Sequence, residues 1–194
     1  MNILKFIIFI SIILHSPISH SRILSNVITS ELDLAMLPPF CRARLTDDKN
    51  LKKVWSRKLG PDFIHVHHYC FGLWKMDKAR MLMDKKERTN LLESAISEMG
   101  YVQQHASSQF VLQPQASYYI GQMYELMGNS LKAINYYQES IRLNPKPSPA
   151  YAALSEIYRK QNNISEAKKI IKIGLKHSPS SKKLNKLLHA LEKK

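Results

Sequence analysis

The sequence predicts an all-α fold arranged as an α-α superhelix, and three observations carry that reading. Two stretches near the C-terminus align at a spacing of 34 residues, glycine is scarce at six positions, and Leu, Ile, Lys and Ala recur at helical spacings. A repeat of about this length marks stacked helical units, each of which needs a neighbour to cover its apolar face. The 194 residues suffice to bury a core, and an apolar share of 44% excludes a disordered chain.

The repeat is the most informative feature. With Pro145 placed beneath Pro179, Ile120, Gly121, Tyr124, Gly128, Ala133, Tyr137 and Ser140 fall opposite Leu154, Ser155, Tyr158, Asn162, Ala167, Ile171 and Gly174. Ile120 and Tyr124, like Leu154 and Tyr158, stand one helical turn apart and share a face. Small residues at Gly121 and Ser155, answered by Ala133 and Ala167, let the two helices of a unit approach closely. Gly128 and Asn162 suit the left-handed conformation that ends a helix. Pro145 and Pro179 stop the second helix and open the next unit.

This pattern resembles the tetratricopeptide-repeat (TPR) family. The resemblance implies a right-handed solenoid with repeats over 114–147 and 148–181, followed by a capping helix over 182–194. In the cap, Leu184, Leu187, Leu188 and Leu191 form an apolar stripe backed by lysines. Two repeats are fewer than such a solenoid needs, so residues 61–113 are expected to supply a degenerate helical pair. Its helices are expected from about Pro61 to Met83 and from Glu87 to His105, with Gly72 at the close approach and Ala95 and Met99 opposite. Residues 22–60 form a small head, with short helices expected at Glu31 to Leu37 and Asp47 to Lys58. In the second of these, Leu51, Val54 and Trp55 are expected to face inward.

The first 21 residues read as a signal peptide. Lys5 gives the positive start, Phe6 to Leu14 is a nine-residue apolar run, and Ser19 and Ser21 supply small residues before a cut. That run is short for a membrane span. The protein is therefore expected to be periplasmic or secreted, the alternative being an uncleaved signal anchor in the inner membrane. In an oxidising compartment the only two cysteines, Cys41 and Cys70, are expected to pair and staple the head to the first long helix. Taken together, LPPFCRARL, HVHHYCFGL and the tandem repeat are similar to exported TPR proteins of proteobacteria, a resemblance that brings no activity with it.

Motifs for catalysis are missing. The sequence has no HExxH, Walker A loop, GxGxxG or CxxC, so neither an enzyme nor a cofactor is expected. His65 and His68, one turn apart in the cluster HVHHYC, are the weak candidates for metal ligands, and packing is the competing reading. TPR proteins typically bind extended peptides or partner helices on the concave face. The corresponding positions here are Gln115, Tyr118, Gln122, Glu125 and Leu126 in the first repeat, then Pro149, Ala152, Glu156, Arg159 and Lys160 in the second. Tyr118, Gln122 and Ala153 stand where a two-carboxylate clamp for chaperone tails wants Lys, Asn and Arg, so that ligand is not expected. One member of each pair Tyr118–Tyr119 and Tyr136–Tyr137 is expected to pack and the other to face outward.

The expected function is thus a scaffold for protein–protein interaction in the bacterial cell envelope, holding a peptide or partner helix in its groove. A formal charge of +14, from 29 Lys and Arg against 15 Asp and Glu, supports a different alternative. That alternative is an acidic polymer or an anionic membrane surface bound through a basic face. Nucleic acid is not an expected partner.

Overall fold

Helix start signals divide the chain into its elements. The computed structural model describes residue 28 and residues 30–193, so the expected signal peptide and the last residue of the cap lie outside the described residues. Over that range there are ten α-helices, one 3₁₀ turn and no strand. The head contains α1 (Glu31–Met36), α2 (Pro39–Leu45) and α3 (Lys49–Leu59), followed by the 3₁₀ turn Pro61–His65. Three long pairs follow: α4 (Val66–Met81) with α5 (Lys85–His105), α6 (Gln113–Leu126) with α7 (Ser130–Leu143), and α8 (Pro149–Lys160) with α9 (Ile164–His177). The chain closes with α10 (Lys182–Glu192).

Each start has a local cause. Ser30, Asp48, Asp84, Asn129, Asn163 and Ser181 cap α1, α3, α5, α7, α9 and α10 by accepting a backbone N–H from three residues on. Proline sits in the first turn of α2, α6 and α8, where its missing N–H costs nothing. Between α6 and α7, Gly128 has φ +78°, and between α8 and α9 Asn162 has φ +59°. These left-handed residues end the first helix of each repeat as the sequence predicts. The buried Gln113 amide answers the end of α5, donating to the carbonyls of Ala106 and Ser107 at 3.4 and 3.2 Å.

Within each pair the small residues set the packing distance. A Cβ on Gly121 would stand 2.7 Å from the Tyr137 ring and 3.3 Å from the Ala133 carbonyl oxygen. One on Gly72 would meet Met99 Cγ at 2.8 Å and the Ala95 carbonyl oxygen at 3.2 Å. The pair α4–α5 thus uses the same close approach as the repeats that follow. In the second repeat Ser155 takes the place of glycine, and its hydroxyl donates to the Ala167 carbonyl at 3.0 Å. Beneath α10, Leu184 and Leu191 join Tyr151, Ala152, Ala167 and Ile171 in a closed apolar cluster.

The head docks on α4. Cys41 and Cys70 form a disulfide across a sequence separation of 29, and both are fully buried. Around it the Phe40 ring meets Trp55 and Tyr69 edge-on at 5.7 Å each. Asp33 of α1 pairs with Lys78 of α4 at 2.8 Å, and the Arg44 guanidinium donates to the Ile64 carbonyl at 3.1 Å. Replacing both cysteines with alanine is expected to lower unfolding stability by about 3–4 kcal/mol, from the chain entropy released when a loop of this size opens. Urea denaturation of the oxidised protein and of the double variant measures the difference.

Four expectations about the head and first pair need correction. Pro39–Leu45 is a helix in addition to the two short helices expected in the head, because Pro39 occupies a first-turn position and starts α2. Val54 is 43% exposed rather than inward-facing, since α3 lies against α2 with Leu51 and Trp55 turned towards the core. The first long helix is tightened to a 3₁₀ turn over Pro61–His65 and ends at Met81, two residues early. Asp84, the N-cap of α5, brings the second helix forward to Lys85.

Candidate functional site

The first helices of the three long pairs are tied to one another by polar side chains. Arg80 of α4 donates to the Gln122 side-chain oxygen of α6 at 3.4 Å, and Gln122 Nε2 donates to the Tyr118 hydroxyl at 3.0 Å. Lys160 of α8 reaches back to the Glu125 carboxylate at 3.0 Å, which also accepts from the Tyr137 hydroxyl at 2.9 Å. These two sets of bonds join α6 to α4 on one side and to α8 on the other, along the face on which a partner is expected.

Two depressions open on this face. One, of about 450 Å³, is lined by Arg80, Gln122, Glu125, Leu126 and Lys160. The other, of about 210 Å³, is more apolar in character and lies among Pro114, Gln115, Tyr118, Tyr119, Pro147 and Pro149. The first has two cations and one carboxylate around its rim. The second offers two tyrosine rings between prolines, a surface suited to an extended apolar segment.

Of the sequence-predicted positions, Gln122, Glu125, Leu126 and Lys160 come together in the first depression, and Gln115, Tyr118 and Pro149 in the second. Glu156 and Arg159 line neither and neutralise each other through a two-pronged ion pair at 2.7 and 2.6 Å. The Arg159 hydrogen bonds hold the Glu156 carboxyl below the usual carboxylate range. Ala152 requires correction. It is 3% exposed and packs in the cluster beneath α10, so a partner on the open face does not reach it.

Sequence reading missed Arg80 and did not place Tyr119 among the partner-face positions. Arg80 belongs to the degenerate pair, whose register against the repeats becomes legible only once α4 and α6 lie side by side. Tyr119 and Tyr118 are both half-buried, meeting edge-on at 5.4 Å, so this pair does not divide into one packed and one outward ring. Burial pushes both hydroxyls up, reinforced by the Tyr119 phenol in Tyr118 and by the Asp77 carboxylate in Tyr119. Tyr137 is fully buried, while Tyr136 stacks on Tyr124 at 5.5 Å.

His65 and His68 of the histidine cluster pack on α5. His68 Nδ1 donates to Glu98 at 2.6 Å, and the other oxygen of that carboxylate accepts from the buried Lys75 ammonium at 2.6 Å. Lys75 also donates to the Ser94 hydroxyl at 2.9 Å. Tyr101 lies between His68 and His105, 3.8 Å from each ring, and the His67 ring stands 4.1 Å from His68. His65 lies 5.8 Å from Tyr101. Among the described residues no group of three or more His, Cys, Asp or Glu side chains converges as a metal site would require. His65 stands beside Tyr101, and His68 joins the Glu98–Lys75 cluster. The carboxylate beside His68 comes from Glu98, thirty positions along the chain.

Two groups here give the fold a pH dependence. Burial pushes the His67 imidazole down, reinforced by His68 and Arg44, with the hydrogen bond to the Ile64 carbonyl opposing. For Glu98, burial acts upward but is overcome by the bonds from Lys75 and His68, which hold the carboxyl below its usual range. Both folded-state values are depressed, so both stabilise above the unfolded value and lose that contribution as pH falls. Stability is expected to decline first below about pH 6.5, where unfolded histidine begins to bind protons, and again below about pH 4.5. Denaturant titrations from pH 7.5 to 3.5 check this, and His67→Asn is expected to flatten the upper step alone.

Comparison with known proteins agrees with this architecture. Residues 114–147 and residues 148–176 each match the family described as tetratricopeptide repeat. The chain is also similar to the crystal structure of the Sgt2 TPR domain from Aspergillus fumigatus, at 17% identity and a TM-score of 0.46, over 63% of this chain and 77% of that one. No curated protein matches the chain. The two units that fix the spacing of Gly121, Tyr137, Ser155 and Ile171, over residues 114–176, are therefore tandem tetratricopeptide repeats.

Proposed function

We propose that this chain is an exported scaffold of the bacterial cell envelope, which recruits another envelope protein by holding its peptide or helix across α4, α6 and α8. Tetratricopeptide repeats mediate protein–protein interaction, and the observation that carries the finer reading is the pair of depressions on one face. The polar one, between Arg80 and Lys160, and the tyrosine–proline one, around Tyr118, offer a charged and an apolar anchor for one extended ligand. Export is supported by the apolar run Phe6 to Leu14 after Lys5, and by a disulfide that an oxidising compartment would maintain. The role is binding and not catalysis.

Site-specific photo-crosslinkers at Gln115, Lys160 and, on the opposite helix layer, Asn135 test this in intact cells. Capture of one envelope protein from Gln115 and Lys160, absent from Asn135 and weakened by Tyr118→Ala, is the expected result. Equal capture from all three positions, or none from the first two, would reject this face as the partner site.

A further inference from the structure

Helix α9 carries a feature that the partner face does not use. Lys168, Lys172 and Lys176 follow one another at four-residue intervals and, with Ser165, Lys169 and Ile173, line a depression of about 440 Å³. At 1.5 Å per residue this row runs about 12 Å along the helix. Lys169 donates to Glu166 at 3.2 Å, but Lys168, Lys172 and Lys176 take part in no ion pair among the described residues. Three ammonium groups held in a line without counter-charges attract a ligand whose negative charges are also in a line.

The neighbouring side chains narrow the class of ligand. Neither α9 nor α10 has an exposed large apolar residue, so the row has no anchor to insert into a bilayer. No Phe, Trp or Tyr occurs after Tyr158, so these helices lack the large aromatic rings on which nucleic-acid bases stack best, and the His177 ring is already stacked on Tyr151. After Arg159 every Lys or Arg is lysine. Bidentate recognition of phosphate favours arginine, whereas lysine acts as a hydrated point charge. We propose that the α9 row binds a linear carboxylated polysaccharide, following the helix with successive carboxylates over Lys168, Lys172 and Lys176. Binding is electrostatic, set by charge spacing rather than by a shaped pocket, and independent of the α4–α6–α8 face.

Polygalacturonate is the probe, measured by fluorescence anisotropy or calorimetry on the purified protein, with neutral dextran as control. Two triple variants with equal charge loss are compared: Lys168→Gln/Lys172→Gln/Lys176→Gln on α9, and Lys182→Gln/Lys183→Gln/Lys186→Gln on α10. The first is expected to weaken binding roughly tenfold or more and to flatten its salt dependence, while the second changes it little. Equal losses in both would assign binding to net charge and overturn the site. Absence of polygalacturonate binding, or stronger binding to phosphatidylglycerol vesicles or a single-stranded oligonucleotide, would overturn the ligand class. Circular dichroism confirms folding of both variants, and the Gln115 crosslink, unaffected by either, keeps this outcome separate from that of the partner face.

Discussion

Replacing Glu98 with alanine is expected to destabilise the protein by about 3 kcal/mol, more than the loss of its own packing would explain. The reason is Lys75. Its side chain is only 4% exposed, and its ammonium relies on Glu98 Oε1 at 2.6 Å and the Ser94 hydroxyl at 2.9 Å. Without Glu98 a buried positive charge has one neutral acceptor, while His68 loses the carboxylate that fixes its ring. The partial exposure of Glu98 lets water relieve some of the penalty, which is why the value sits at the lower end for a broken buried pair. A second variant separates charge from packing. In Lys75→Met/Glu98→Leu both charges are gone, and stability is expected to recover most of the loss. Urea midpoints of the two variants and the wild type decide the matter. A double variant no more stable than Glu98→Ala would mean that the polar cluster itself, rather than an unpaired ammonium, holds α4 to α5.

Tyr137→Ala is expected to have an effect at least as large, about 3–5 kcal/mol. Tyr137 is fully buried, its ring fills the space left by the missing side chain of Gly121, and its hydroxyl donates to Glu125 at 2.9 Å. Truncation leaves a cavity between α6 and α7 that the glycine cannot help fill. It also withdraws a donor from the carboxylate that Lys160 reaches from the next repeat. Tyr137→Phe keeps the packing and removes only the hydrogen bond, for which about 1–2 kcal/mol is expected. In thermal scans each kcal/mol corresponds to about 2–4 °C for a chain of this length, so the two variants are readily told apart. Because burial and the Glu125 carboxylate both push the Tyr137 phenol up, this bond persists throughout the alkaline range in which an exposed tyrosine ionises.

Much of this could be read from residue types because the repeat imposes local rules. Gly128 and Asn162 end helices by a backbone conformation that few other residues adopt, and Gly121 and Ser155 mark close approach by their size alone. The degenerate pair was legible in outline for the same reason, through Gly72, Ala95 and Met99. What sequence spacing missed depends on distances across elements. Glu98 and His68 lie 30 positions apart, and Arg80 and Gln122 lie 42 apart. No periodicity within one helix announces such a meeting. Val54 was misplaced because α3 is short and one-sided, so the step of about 100° between neighbouring residues carries Val54 to solvent while Trp55 faces the core. Ala152 was misplaced because a family position describes a face, and α10 covers part of that face here.

The disulfide has a consequence for how the array comes apart. A stack of helical units that touch only their neighbours opens from its ends, where a unit has lost one side of its support. At the head, opening is opposed by a covalent bond from α2 to α4; at the other end, α10 is held only by side chains such as Leu184 and Leu191. The two ends therefore breathe unequally, and transient openings enter from the C-terminal side, travelling towards α4. A partner that grips α8 would close this path, so that occupancy of the face and resistance of α9 and α10 to hydrogen exchange would rise together.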